Sequence, residues 1–195
     1  LGDVYKRQKV SPVAGEYFRI ERTWKNGDRV ELVLPMHLTM RTWQVNKNSV
    51  SVNYGPLTLS LKIGEEFIRR DSRETAIGDS KWQKGADAEN WPSYEIHPTT
   101  AWNYALVLGE KDPLEGFEVV KKSWPSDNFP FTPGNVPLEV KAQGRRIPSW
   151  KIDKYGLCAV LPETDAPKSP QIENITLIPM GAARLRISAF PAVSE

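Results

Sequence analysis

Seven tryptophans are the chemical excess of this 195-residue chain. Flat aromatic rings suit the apolar face of a sugar ring, provided polar neighbours can bond its hydroxyls. Trp82 and Trp91 lie in a polar stretch beside Asp79, Lys81, Asp87, Asn90 and Tyr94. Trp102 opens an apolar run at 102–108. Trp82, Trp91, Tyr94 and Trp102 are therefore the candidate carbohydrate contacts. The competing reading is core packing, which the strand context of Trp24, Trp43 and Trp102 favours. Trp124 and Trp150 flank turns.

Other chemistries find less support. A glycosidase needs two carboxyl groups across the scissile bond. Glu65 with Glu66, Asp87 with Glu89, and Asp112 with Glu115 are the available pairs. All read as polar-turn residues whose carboxylates stay solvated, so no catalytic residue is assigned. His37 and His97 are far apart and Cys158 is the one cysteine, so no metal-ligand spacing is present. Cys158, between Leu157 and Ala159, reads as a small buried strand residue. No phosphate loop, nucleophile elbow or zinc-protease motif occurs.

Composition bounds the partners. Twenty-six basic and 24 acidic residues leave a formal charge of +2, without the clustered basic face that nucleic acid requires. No apolar run approaches the roughly 18 residues of a membrane-spanning helix. Neither nucleic acid nor a membrane is expected as a partner. One cysteine rules out an intramolecular disulfide but does not fix the compartment. A periplasmic or extracytoplasmic location is expected, with the cytoplasm as the alternative.

The elements that must position these residues are strands. The run VSVNYGPLTLSLKI at 50–63 alternates apolar and polar residues, with apolar parity even before Gly55-Pro56 and odd after it. It reads as a central core strand broken by a bulge or bend. Residues 16–24 and 29–34 read as strands joined by an Asn26-Gly27 hairpin turn. Residues 37–45 read as another strand. The stretch 64–100 is polar and long for a loop, and reads as either a functional segment or a domain connector. Strands resume at 102–108, 116–124, 136–140, 145–152 (after a turn at Gln143-Gly144) and 156–161. Residues 172–190 read as a closing hairpin around 179–182. No stretch has a convincing helical period, so the fold class is all-β.

Several ordered blocks carry a family likeness. They are YFRIERTWKNGDRVELVLPM from Tyr17, VNYGPLTLSL at 52–61, PTTAWNYALVL at 98–108, FTPGNVPLEVKAQGRRIPSW at 131–150 and ITLIPMGAARLRISAFP at 175–191. Together they resemble the strands that follow the catalytic barrel in glycoside hydrolase family 127, the β-L-arabinofuranosidase-like enzymes of bacteria that act on plant glycans. The resemblance implies two jelly-roll-like β-sandwich domains, the second inserted into the first. Residues 10–71 with 172–190 would form domain I, residues 91–170 domain II, and residues 72–90 a linker. It also implies a helical catalytic barrel elsewhere in the parent enzyme, holding a zinc-bound cysteine nucleophile and a glutamate acid/base. Cys158 lies outside that cysteine motif, so no cofactor is expected on this chain. Residues 1–9 begin with LGDVYKRQ, which resembles a translated adaptor sequence, and are expected to be non-native or disordered. The expectation is a non-catalytic accessory fragment that packs on its own missing barrel, with an oligosaccharide as a further partner. The alternative is an autonomous carbohydrate-binding module.

Overall fold

The structure, a computed structural model, describes residues 13–71 and 89–194. Contacts divide the chain into two units, Leu1–Leu34 and Pro35–Glu195. Among the described residues there is no α-helix, and the chain is all-β.

In the first unit the Asn26-Gly27 turn forms. The Asp28 amide donates to the Lys25 carbonyl at 3.1 Å, and Gly27 takes a φ of 90° that a Cβ would disfavour. The flanking segments form no strands, contrary to the expectation for 16–24 and 29–34. An isolated two-stranded hairpin is marginal in water without a further surface to bury its apolar face. Phe18, Trp24, Leu32 and Leu34 are all exposed.

The described residues of the second unit form ten strands. They are β1 (Leu38–Trp43), β2 (Ser49–Tyr54), β3 (Leu57–Leu61), β4 (Glu65–Arg70), β5 (Ser93–Pro98), β6 (Tyr104–Leu108), β7 (Glu118–Lys121), β8 (Leu138–Arg146), β9 (Ile172–Pro179) and β10 (Ala192–Ser194). Eight form one curled mixed sheet, a half-barrel in the order β1-β2-β3-β9-β8-β6-β10, with β7 on β8. The small second sheet is the antiparallel pair β4–β5.

The parity switch at 50–63 has a simple cause. Gly55-Pro56 is a hairpin turn, not a bulge in one strand. Tyr54 pairs with Leu57 and Asn53 with Thr58. A two-residue loop sets even positions opposite odd ones, so the apolar faces of the two strands coincide. Gly55 supplies the positive φ of 55°, where Met36 also presses close.

β2 and β3 then splay, and the C-terminal segment enters between them. Val50 and Phe190 exchange backbone hydrogen bonds at 2.8 and 2.9 Å, and the Leu61 amide donates to the Ile187 carbonyl at 2.8 Å. The same segment continues to Pro191, which accepts from the Leu106 amide, and into β10, parallel to β6. One strap thus serves two separated parts of the sheet, which curls the sheet. The expected closing hairpin at 172–190 is not formed. β9 ends in a 3₁₀ turn at Met180–Ala182, and from there the chain runs on into the strap. One buried cluster joins Val52, Leu59, Leu61, Leu106, Val140, Leu177 and Phe190.

Two other expectations change. The connector 64–100 contains β4 and β5, whose register places Phe67 opposite Ile96. Their charged residues hide the strand period, and opposite charges such as Arg70 and Glu95 (3.1 Å) meet across the pair. Gln143-Gly144 is not a turn, since β8 runs through it for nine residues. Gly144 is there for space. A Cβ would lie 3.0 Å from the Tyr104 ring and 3.2 Å from both the Ala105 carbonyl and Ile175.

Candidate functional site

The sheet places Tyr104, on β6, opposite Arg146, the last residue of β8. The chain enters β6 through 98–103 and leaves β8 through 147–152, so these two segments lie side by side. Between them is a solvent-open depression of about 390 Å³, lined by Pro98, Trp102, Asn103, Arg146, Trp150 and Lys151 among others. This is within the volume range of small-molecule sites.

Its aromatic part is rigid. Trp150 is buried, and its indole N–H donates to the Ala159 carbonyl at 3.0 Å. Trp102 packs against it edge-to-face, with centroids 5.2 Å apart and planes at 70°. Trp102 is half-buried, so part of its ring faces the depression. The Asn103 amide nitrogen donates to the carbonyls of Ile147 (2.8 Å) and Trp150 (3.1 Å). Both of its hydrogens are thereby used, the amide is oriented, and Oδ1 is left as an acceptor.

The charged part is cationic. Arg146 and Lys151 line the depression, and no carboxylate among the described residues does. The Arg146 guanidinium lies 5.7 Å from the centroid of the Tyr104 ring. Tyr104 donates its hydroxyl to Glu173 Oε2 at 2.7 Å. Burial, followed by that bond and the Glu173 charge, pushes the Tyr104 phenol up to about 12.

The sequence candidates fare unequally. Trp102 lies in the depression. Trp91 is exposed and Tyr94, on β5, packs its ring on Phe67 at 6.3 Å. Neither lines the depression. Trp82 lies outside the described residues, as do Asp79, Lys81 and Asp87. Arg146, Trp150, Asn103 and Lys151 were not singled out from sequence as contacts. Only the β6–β8 pairing brings residues some 45 positions apart together. The aromatic at Trp150, four residues beyond the Arg145-Arg146 pair, was the one available signal.

Several carboxylates have structural partners. Glu65 is a strand residue, not a turn residue, and its side chain is only 8% exposed. Its Oε1 accepts from the Arg184 and Leu185 amides at 3.0 and 3.3 Å. Asp112 Oδ1 accepts from the Leu114 amide in a turn. Glu95 Oε2 accepts from Arg70 and meets His97 Nε2 at 3.2 Å, and those two hydrogen bonds hold its carboxyl below the usual range. Cys158 is exposed, not buried. It sits in a single bridge to Ile152, in a loop that never joins the large sheet. Among the described residues, no three His, Cys, Asp or Glu side chains cluster as a metal site would require.

On the other side of β8 lies an ionic cluster. Glu139, 5% exposed, meets Lys122 at 2.7 Å, Lys62 at 2.8 Å and Lys141 at 3.3 Å. Burial raises its pKa, but the hydrogen bonds from Lys122 and Lys62 outweigh it and bring the value down to about 2. The cluster ties β8 to the ends of β3 and β7.

Comparisons with protein-family models, with curated proteins and with solved structures each found no match.

Proposed function

We propose that this chain is a non-catalytic accessory β-region of a bacterial glycoside hydrolase of the β-L-arabinofuranosidase-like kind, packing on and supporting a helical catalytic barrel. The ordered sequence blocks between Tyr17 and Pro191 motivate the family. The observation that carries the accessory role is the apolar run at 30–34. Val30, Leu32, Val33 and Leu34 are each more than 60% exposed, in a segment that forms no strand. A group of exposed apolar side chains of this kind, interrupted by Glu31 alone, suits a surface that a partner covers. The finer plan of the same reading takes residues 10–71 with 172–190, and residues 91–170, as two sandwiches. The zinc and the catalytic cysteine and glutamate belong to the barrel.

The test is to mix the chain with the isolated helical barrel of a β-L-arabinofuranosidase-like enzyme and follow amide hydrogen exchange. A stoichiometric complex that protects 30–34 is expected, along with no arabinofuranoside cleavage by the chain alone. Absence of a complex, or turnover by the chain alone, refutes the reading.

A specific observation favours a second reading, a saccharide-binding module. It is the rigid Trp102 ring facing a depression that also offers Asn103 Oδ1. Binding of arabino-oligosaccharides, lost on Trp102→Ala, would favour it.

A further inference from the structure

We propose that the depression between 98–103 and 146–152 is a subsite for an acidic sugar, a uronate residue, with its ring on Trp102 and its carboxylate on Arg146. The proposal rests on the saccharide-binding reading of this depression and adds the charge of the ligand.

Chemistry is sorted within the depression. Trp102, Pro98, Ala101 and Ile152 provide an apolar surface, while Asn103 Oδ1 and the threonines at 99 and 100 can bond hydroxyls. Against these stand two cations and, among the described residues, no acid. A ligand that satisfies all three features has an apolar ring face, several hydroxyls and a negative charge. A hexuronate has all of them on one ring.

Arg146 is held in place without a direct carboxylate partner among the described residues. Its backbone is fixed, since its carbonyl accepts from the Ser169 amide at 2.7 Å at the end of β8. Its guanidinium lies beside the Tyr104 ring. Among the described residues it makes no ion pair. The Tyr104 hydroxyl, which donates to the nearby Glu173 carboxylate, also interacts with the Arg146 guanidinium. A planar guanidinium of this kind favours a carboxylate in two-point contact. Several basic residues are paired instead: Lys62, Lys122 and Lys141 share Glu139, Arg70 has Glu95, and Arg184 has Glu65.

The depression is also preorganised. Trp150 fixes the Trp102 ring plane, and Ile147 and Trp150 fix the Asn103 amide. Little side-chain freedom remains to be lost on binding.

The experiment titrates the chain with methyl galacturonoside, its methyl ester and methyl galactoside, read by tryptophan fluorescence and calorimetry. A dissociation constant of roughly millimolar is expected for the acid, about tenfold tighter than for the ester or the neutral sugar. Arg146→Met, which keeps the apolar stem, should abolish that preference, so that acid, ester and neutral sugar bind alike. Trp102→Ala should abolish binding of all three. Because Trp102 also packs on Trp150, Trp102→Phe is made in parallel and should weaken all three sugars with an unchanged unfolding midpoint. Equal binding of acid, ester and neutral sugar overturns the uronate assignment and leaves the saccharide reading standing. A preference for the acid that survives Arg146→Met also overturns it. Binding by none of the three to folded protein overturns both.

Discussion

Glu139→Gln tests whether the lysine cluster supports the sheet electrostatically. The substitution keeps the shape and removes the charge. The carboxyl titrates near 4.5 in an unfolded chain and at about 2 in the folded one. That difference corresponds to about 3 kcal/mol of stability at neutral pH. The three lysines are 34–47% exposed, and water screens them. The realised contribution is therefore roughly 1–2 kcal/mol. The lysines left facing one another add mutual repulsion, so the expected loss at pH 7 is about 2 kcal/mol, or about 4–8 °C in Tm. The sign with pH follows from the lowered folded-state value. The stabilisation is full above about 4.5 and fades as pH falls towards 2. Urea unfolding of both proteins between pH 7 and pH 2.5 measures it. The gap between wild type and variant should narrow steadily below pH 4.5. Added salt should raise the variant's stability more than the wild type's, by screening the lysines. A gap that stays constant with pH, or a variant as stable as the wild type at pH 7, refutes the reasoning.

Two further outcomes concern the fold. Gly144→Ala should cost about 1–3 kcal/mol, measured by denaturant midpoint, because the new methyl meets the Ala105 carbonyl at 3.2 Å and the Tyr104 ring at 3.0 Å. An Ala variant as stable as the wild type would show that Gly144 is not required for space. Cys158, being exposed, should react with a thiol reagent in native buffer at nearly the rate seen in denaturant. Labelling only after unfolding would place the thiol inside.

The alternation at 50–63 already carried the break, since a parity switch is what either a bulge or a two-residue loop produces. Leu38 and Met40, on one parity, pack inward on β1 as their pattern indicates. At Gly144 the residue type misled, because a glycine that makes room for a neighbouring strand looks in sequence like one that makes a turn. β4 and β5 were hidden because charge pairs, not an apolar stripe, join them.

The sequence by itself determined the all-β class and the turn at Asn26-Gly27, because these depend on side-chain period and on local φ preference, whereas the break at Gly55-Pro56 was legible but became a reversal only through the pairing of Tyr54 with Leu57. Tertiary structure alone decided three things. One is the strap at 187–194, which takes backbone partners more than 80 residues away. Another is the failure of 16–34 to form strands within its unit, since a pattern states a preference and burial needs a surface. The last is the depression that joins Trp102 to Arg146 and Trp150. Its parts are distant in sequence and meet only because β6 pairs with β8 in one register.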